Sequence, residues 1–250
     1  MLKKPPRGLV IWSSAPEDQV RFLTPSEPAA ALPQAIPLQE TAALPSGQVK
    51  MSAMREDPEG AIDLYWLPLG AGGHSVRLNG KVFEAIAARV AHRGRCDLYH
   101  SALIVHVPEG HFVIEQAPVA KNGEARGVVA QGPVGSRAAG RFRLFRYEVR
   151  RWRDGVIPDV EEAVESPKRI SEDVDVARHV LALVPSVPRV VWGRDELGTG
   201  EMWNSNSLIS WVLVRSGINA ESIQMPAQGR APGWHSGIVV ARRQEALQLR

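Results

Sequence analysis

The stretch "YHSALIVHVPEGHFVIEQAP", Tyr99 to Pro118, decides the fold. Two apolar runs, Ser101 to Val107 and His111 to Gln116, flank the turn-forming Pro108-Glu109-Gly110. β-branched and aromatic residues on both sides of such a turn predict an antiparallel hairpin. Upstream, "IDLYWLPLG" predicts a strand that Pro68 ends, and the apolar spacing of "NGKVFEAIAARVAHRG" predicts a helix that Gly94 stops. Downstream, alternation in "GRFRLFRYEVRRW" predicts a third antiparallel strand. "SEDVDVARHVLALVP" predicts a helix capped by Ser171, and "NSLISWVLVRSG" a helix closed by Gly217 at the C′ position. "GWHSGIVVARR" reads as a short final strand. The expected class is α+β, an antiparallel β-sheet packed against a few helices.

The bulk numbers set the frame. The chain has 250 residues, 44% hydrophobic and 23% charged, as in a soluble globular protein of one main domain. Residues 1–58 are dense in Pro, Ala, Ser and Glu and are expected to form a disordered tail, with Met51 and Met54 as alternative starts. A single domain is expected over 59–245, with 246–250 as a C-terminal tail. Net charge is +3. The arginines at 141, 143, 146, 150, 151 and 153 are not interleaved with stacking aromatics in an RNA-binding pattern, so no nucleic-acid partner is expected.

Cys96 is the single cysteine, which rules out an intrachain disulfide or a cysteine zinc cluster. It reads as a small buried residue. His100, His106 and His111 lack the i, i+2 spacing of a strand ligand pair, and no phosphate-binding loop is present, so neither metal nor cofactor is expected. No run is long enough for a transmembrane segment and no secretory leader is visible, which makes the cytoplasm the expected location. His235 sits among Pro232, Gly233 and Gly237 and reads as incidental to a tight loop. Trp203 and Trp211 read as core residues.

Three positions carry candidate chemistry. His100 enters the first hairpin strand and Glu115 lies near the end of the second, so the antiparallel pairing predicts that they are neighbours. A carboxylate beside an imidazole fixes its tautomer and stabilises the imidazolium. Ser205, in "WNSNSLISWVL", lies at the start of an apolar helix, where unpaired backbone N–H groups favour an oxyanion and Asn204 adds a polar support. The same Asn-Ser-Asn-Ser run also suits a plain N-cap.

The order of "YHSALIV" with His100, "FVIEQAP" with Glu115 and "WNSNSLISWVL" with Asn204-Ser205 resembles the circularly permuted papain-like superfamily, the lecithin:retinol acyltransferase and NlpC-type proteins. The resemblance spans roughly residues 60–241, and its specific part is those three motifs. It implies a permuted papain-like fold and acyl or amide chemistry on an amide or ester bond. In that superfamily the nucleophile is a cysteine, and here Ser205 stands in its place. A hydroxyl needs general-base removal of its proton where a thiol ionises readily. The resemblance therefore implies either a hydrolase or acyltransferase working through Ser205, His100 and Glu115, or a catalytically inactive domain that binds a peptide, lipid or protein partner. The substrate, a small molecule, lipid or peptide, is not specified by these motifs, nor is the oligomeric state.

Overall fold

The computed structural model describes residues 59–69, 96–119, 127–227 and 229–249. The expected tail over 1–58 and the expected helix over 79–94 lie outside these residues. Within them the chain is α+β. Seven strands form the sheet: β1 (Ala61–Pro68), β2 (Asp97–Val107), β3 (Gly110–Pro118), β4 (Val128–Pro133), β5 (Arg146–Arg153), β6 (Val164–Ser171) and β7 (Gly229–Arg230). The order is β4-β5-β3-β2-β1-β6, antiparallel throughout, with the two-residue β7 lying parallel beside the start of β2. The described helices are α1 (Val174–Leu183), α2 (Ser205–Arg215) and α3 (Trp234–Gln248).

The hairpin forms as expected. Val107 pairs with Gly110 across a two-residue turn of Pro108 and Glu109, and the register runs back to Leu103 opposite Ile114. Neither β1 nor β2 lies at a sheet edge, and β1 is buried along nearly its whole length. One face of the sheet carries Ile62, Leu64, Trp66, Leu103, Val105, Ile114 and Val149 and packs under α1, α2 and α3. The other face carries a smaller cluster, Leu67, Ala102, Val113 and Ile157, covered in part by Trp152 and Val160.

Helix α2 is buried almost all round, so its apolar residues serve as a central beam rather than one stripe. Its C-terminus closes as expected. Gly217 takes φ +87°, its N–H donates to the Val214 carbonyl, and the Ile218 N–H donates to that of Leu213.

Four local expectations are corrected. The third strand begins at Arg146, not Gly140. Residues Ala139–Arg141 and Arg143–Phe145 form two 3-10 turns with no buried residue, because only from Arg146 onward do β3 and β4 supply hydrogen-bonding partners. The cap of α1 is Asp173, whose carboxylate accepts from Asp175 N and Val176 N, while Ser171 ends β6. The C-terminal "GWHSGIVVARR" is helical, the start of α3, which runs on to Gln248 and so takes in part of the segment expected as a tail. Cys96 is half-buried just before β2 rather than fully buried.

Candidate functional site

The N-terminus of α2 is built by its own sequence. Asn204 is the N-cap: its Oδ1 accepts from the N–H groups of Asn206 (2.9 Å) and Ser207 (3.3 Å). Ser207 Oγ in return accepts from Asn204 N–H at 3.1 Å, completing a capping box. The Asn204 amide donates to the Pro232 carbonyl at 2.7 Å. Asn204 thus closes the helix end instead of supporting an oxyanion, and two of the first-turn amides are already spent on its side chain.

Ser205 is the first residue of the helix and only 5% exposed. Its neighbour Asn206 ties the helix to the sheet. Asn206 Oδ1 accepts from Ser101 Oγ (2.9 Å), and its Nδ2 donates to the carbonyls of Tyr99 and Pro232, each at 2.9 Å. Sequence reasoning passed over Ser101 and Asn206. Their signal was available: polar residues inside two runs too apolar to leave a hydrogen-bonding group unpaired.

The Ser101–Asn206 bond also fixes which way β2 faces. Ser101 pairs with Trp66 and points at α2; the next pair, His100 with Leu67, must point the other way. Leu67 accordingly belongs to the cluster on the far face. Glu115 pairs with Arg150 across β3 and β5, two residues from Val113 on that same far face. Ser205 and the His100–Glu115 pair therefore stand on opposite sides of the sheet, and among the described residues no hydrogen bond joins any two of the three.

Glu115 has another partner. Arg150 Nη1 donates to its Oε1 at 2.6 Å, while Arg150 Nε and Nη2 reach Glu148 Oε2 at 3.2 and 3.1 Å. A further bond runs from Nη2 to the Pro118 carbonyl. Arg150 is 2% exposed, and its guanidinium satisfies both carboxylates in a site closed to water. The expectation that Glu115 orients His100 is corrected on this ground: the carboxylate is engaged by a permanent cation.

Burial pushes the His100 imidazole down to about 4 from its ordinary 6.5. The folded protein therefore holds the neutral ring, while the unfolded chain takes up a proton as pH falls through about 6.5. Stability contributed this way is full above that value and is lost progressively toward pH 4. Urea midpoints measured from neutral pH down to about pH 4.5 should fall, and His100→Gln should flatten that part of the fall which wild type shows in excess.

Among the described residues, two side chains on the helix-facing side of the sheet carry buried polar atoms without a hydrogen-bond partner. Both amide atoms of Gln116, itself 5% exposed, lack a hydrogen-bond partner, and so does Trp66 Nε1. Gln116 shares the helix-facing side of β3 with Ile114. The rings of Trp66 and Trp234 meet at a 50° tilt with centroids 5.1 Å apart, and Trp234 lines a surface cleft of ≈ 270 Å³ together with Ile223, Met225, Pro232 and the charged or titratable Glu201, Glu221, Arg230 and His235. The carbonyl of Pro232, at the edge of that cleft, is the one that receives both Asn204 and Asn206. Apolar side chains set beside acidic and basic ones suit capture of a small ligand or a peptide side chain. Trp203 and Trp211 are core residues, each 2% exposed. Among the described residues no three His, Cys, Asp or Glu side chains are grouped to hold a metal, and no helix is long and apolar enough to cross a membrane. No family model matches the chain, and no curated protein or solved structure matches it.

Proposed function

We propose that this chain is a non-catalytic binding module, a papain-like frame that has given up its chemistry and takes a peptide, lipid or protein group in the cleft beside Pro232 and Trp234. The observation that carries this reading is the capture of Glu115 by Arg150 at 2.6 Å, on the side of the sheet away from Ser205. A serine nucleophile needs a base within about 3 Å of its hydroxyl and a group that orients that base. Here the backbone of the sheet divides the hydroxyl from the imidazole and the carboxylate, and the carboxylate is bound to Arg150. The second support is the serine itself, where the superfamily that the sequence resembles carries a cysteine.

A fluorophosphonate probe tests the reading directly. Wild type, Ser205→Ala and His100→Ala are expected to label equally weakly, at the level of a heat-denatured control. Ser205→Cys is expected to gain no thiol-type ester hydrolysis. Wild-type labelling that disappears in both alanine variants would overturn the proposal and restore the hydrolase reading. A cleft-filling change, Ile223→Trp, is expected to abolish capture of whatever partner wild type retains, while Ser205→Ala leaves it intact.

A further inference from the structure

The segment between β4 and β5 presents its hydrophobic residues outward. Phe142 is 54% exposed and Leu144 61% exposed, and neither 3-10 turn of the segment contains a buried residue. Arg141, Arg143 and Arg146 are exposed among them, with the Arg141 guanidinium 4.8 Å from the centre of the Phe142 ring. From Pro133 to Tyr147 there is no acidic residue. Two acids of adjoining elements are already committed: Glu196 to Arg137, and Glu148 to Arg150 on the far face of the sheet. The turn is held from below rather than left loose. Ser136 Oγ accepts from Ala139 N–H, and the Val134 N–H donates to the Phe145 carbonyl.

A rigid projection that places two large apolar side chains between cations is costly in water and suited to one kind of surface. In the interfacial zone of a bilayer the apolar side chains enter the acyl boundary, while the guanidinium groups remain at phosphate depth. We propose that residues Ala139 to Arg146 form a peripheral docking surface for anionic phospholipid membranes, with Phe142 and Leu144 inserted and Arg141 and Arg146 on headgroup phosphates. Charge complementarity selects this occupant. A nucleic acid would use the arginines but asks for successive stacking rings, whereas the more exposed of the two apolar residues, Leu144, has no ring to stack. The proposal is independent of the cleft beside Pro232.

The test is co-sedimentation of the full chain with vesicles of phosphatidylcholine alone and of phosphatidylcholine mixed with phosphatidylglycerol. Binding is expected only to the mixed vesicles and is expected to weaken as salt rises. Arg141→Gln with Arg146→Gln should weaken it about five-fold for each arginine removed. Phe142→Ser with Leu144→Ser should weaken it about ten-fold or more. Both pairs are exposed, so the thermal transition should stay where it is in wild type. The proposal is overturned if wild type ignores the mixed vesicles or if both double variants sediment like wild type. It is equally overturned if the substitutions abolish binding to a single-stranded oligonucleotide, or self-association in sizing experiments, while vesicle binding is unaffected.

Discussion

Arg150→Met should cost the folded state about 3–5 kcal/mol, read as a lower urea midpoint with an unchanged denaturant slope. The reason lies in what remains. Glu115 and Glu148, each with 10% side-chain exposure, would share a site that has lost the cation pairing them both. Two carboxylates so largely removed from water must repel each other or take up a proton, and both routes draw on the stability of the fold. Removing one acid instead leaves the guanidinium with its second partner, so Glu115→Gln should cost less than Arg150→Met. Were Glu115 an orienting carboxylate, its loss would show first in catalysis. The structure predicts that it shows in stability.

The second large effect comes from packing. Gly237→Ala should destabilise by about 3 kcal/mol, at the upper end of the range for overfilled cores, and lower the melting temperature by roughly 6–12 °C. Gly237 lies on α3 where that helix touches α2, and a methyl group there would strike the Ser207 carbonyl and Ser210 Oγ, with Trp211 N at 2.8 Å. The neighbouring atoms are mostly backbone, so the two helices would have to part. Separation would strain the hydrogen bonds from Ser210 Oγ to the Trp234 carbonyl and from Ser207 Oγ to the Gly233 carbonyl, both 2.7 Å. Calorimetry on the purified variant measures the shift.

The hairpin, β1 and α2 were legible because each carries its signal locally: a turn between two β-branched runs, a proline stop, a polar cap and a C′ glycine. The misread elements carry signals that point the wrong way. "RFRLFR" alternates as a strand should, yet alternation makes a strand only where a neighbouring strand offers hydrogen bonds, and Phe142 bonds instead within its own turns, to Ala139 and Phe145. In α3 the β-branched "GIVV" resembles a strand, but Gly237 is there to let α2 approach, and "ARRQEALQ" beyond it favours helix. β6 contains Pro167, which reads against a strand until the element is seen to lie at the sheet edge.

For the candidate site the limit is parity. Adjacent residues in a strand face opposite ways, so His100 and Ser101 could not both point at α2. Which one does depends on where a helix more than a hundred residues away comes to rest, and nothing in "YHSALIV" encodes that. Glu115 posed the same difficulty, since its partner Arg150 comes from a strand 35 residues on. A cap within the Asn-Ser-Asn-Ser run was readable from composition alone, and the structure assigns it to Asn204 and not to Ser205.

The side chain of Asn206 has a consequence for the order in which the chain acquires its shape. Its amide reaches Tyr99, 107 positions earlier, and Pro232, 26 positions later. Until Pro232 has left the ribosome, the first turn of α2 lacks one of its anchors, and the start of β2 lacks the segment that completes it. Closing so long a loop is slow relative to forming the hairpin beside it. The hairpin is thus expected to acquire hydrogen-exchange protection early in refolding, with the Tyr99, Asn206 and Pro232 region gaining it last and as a single step.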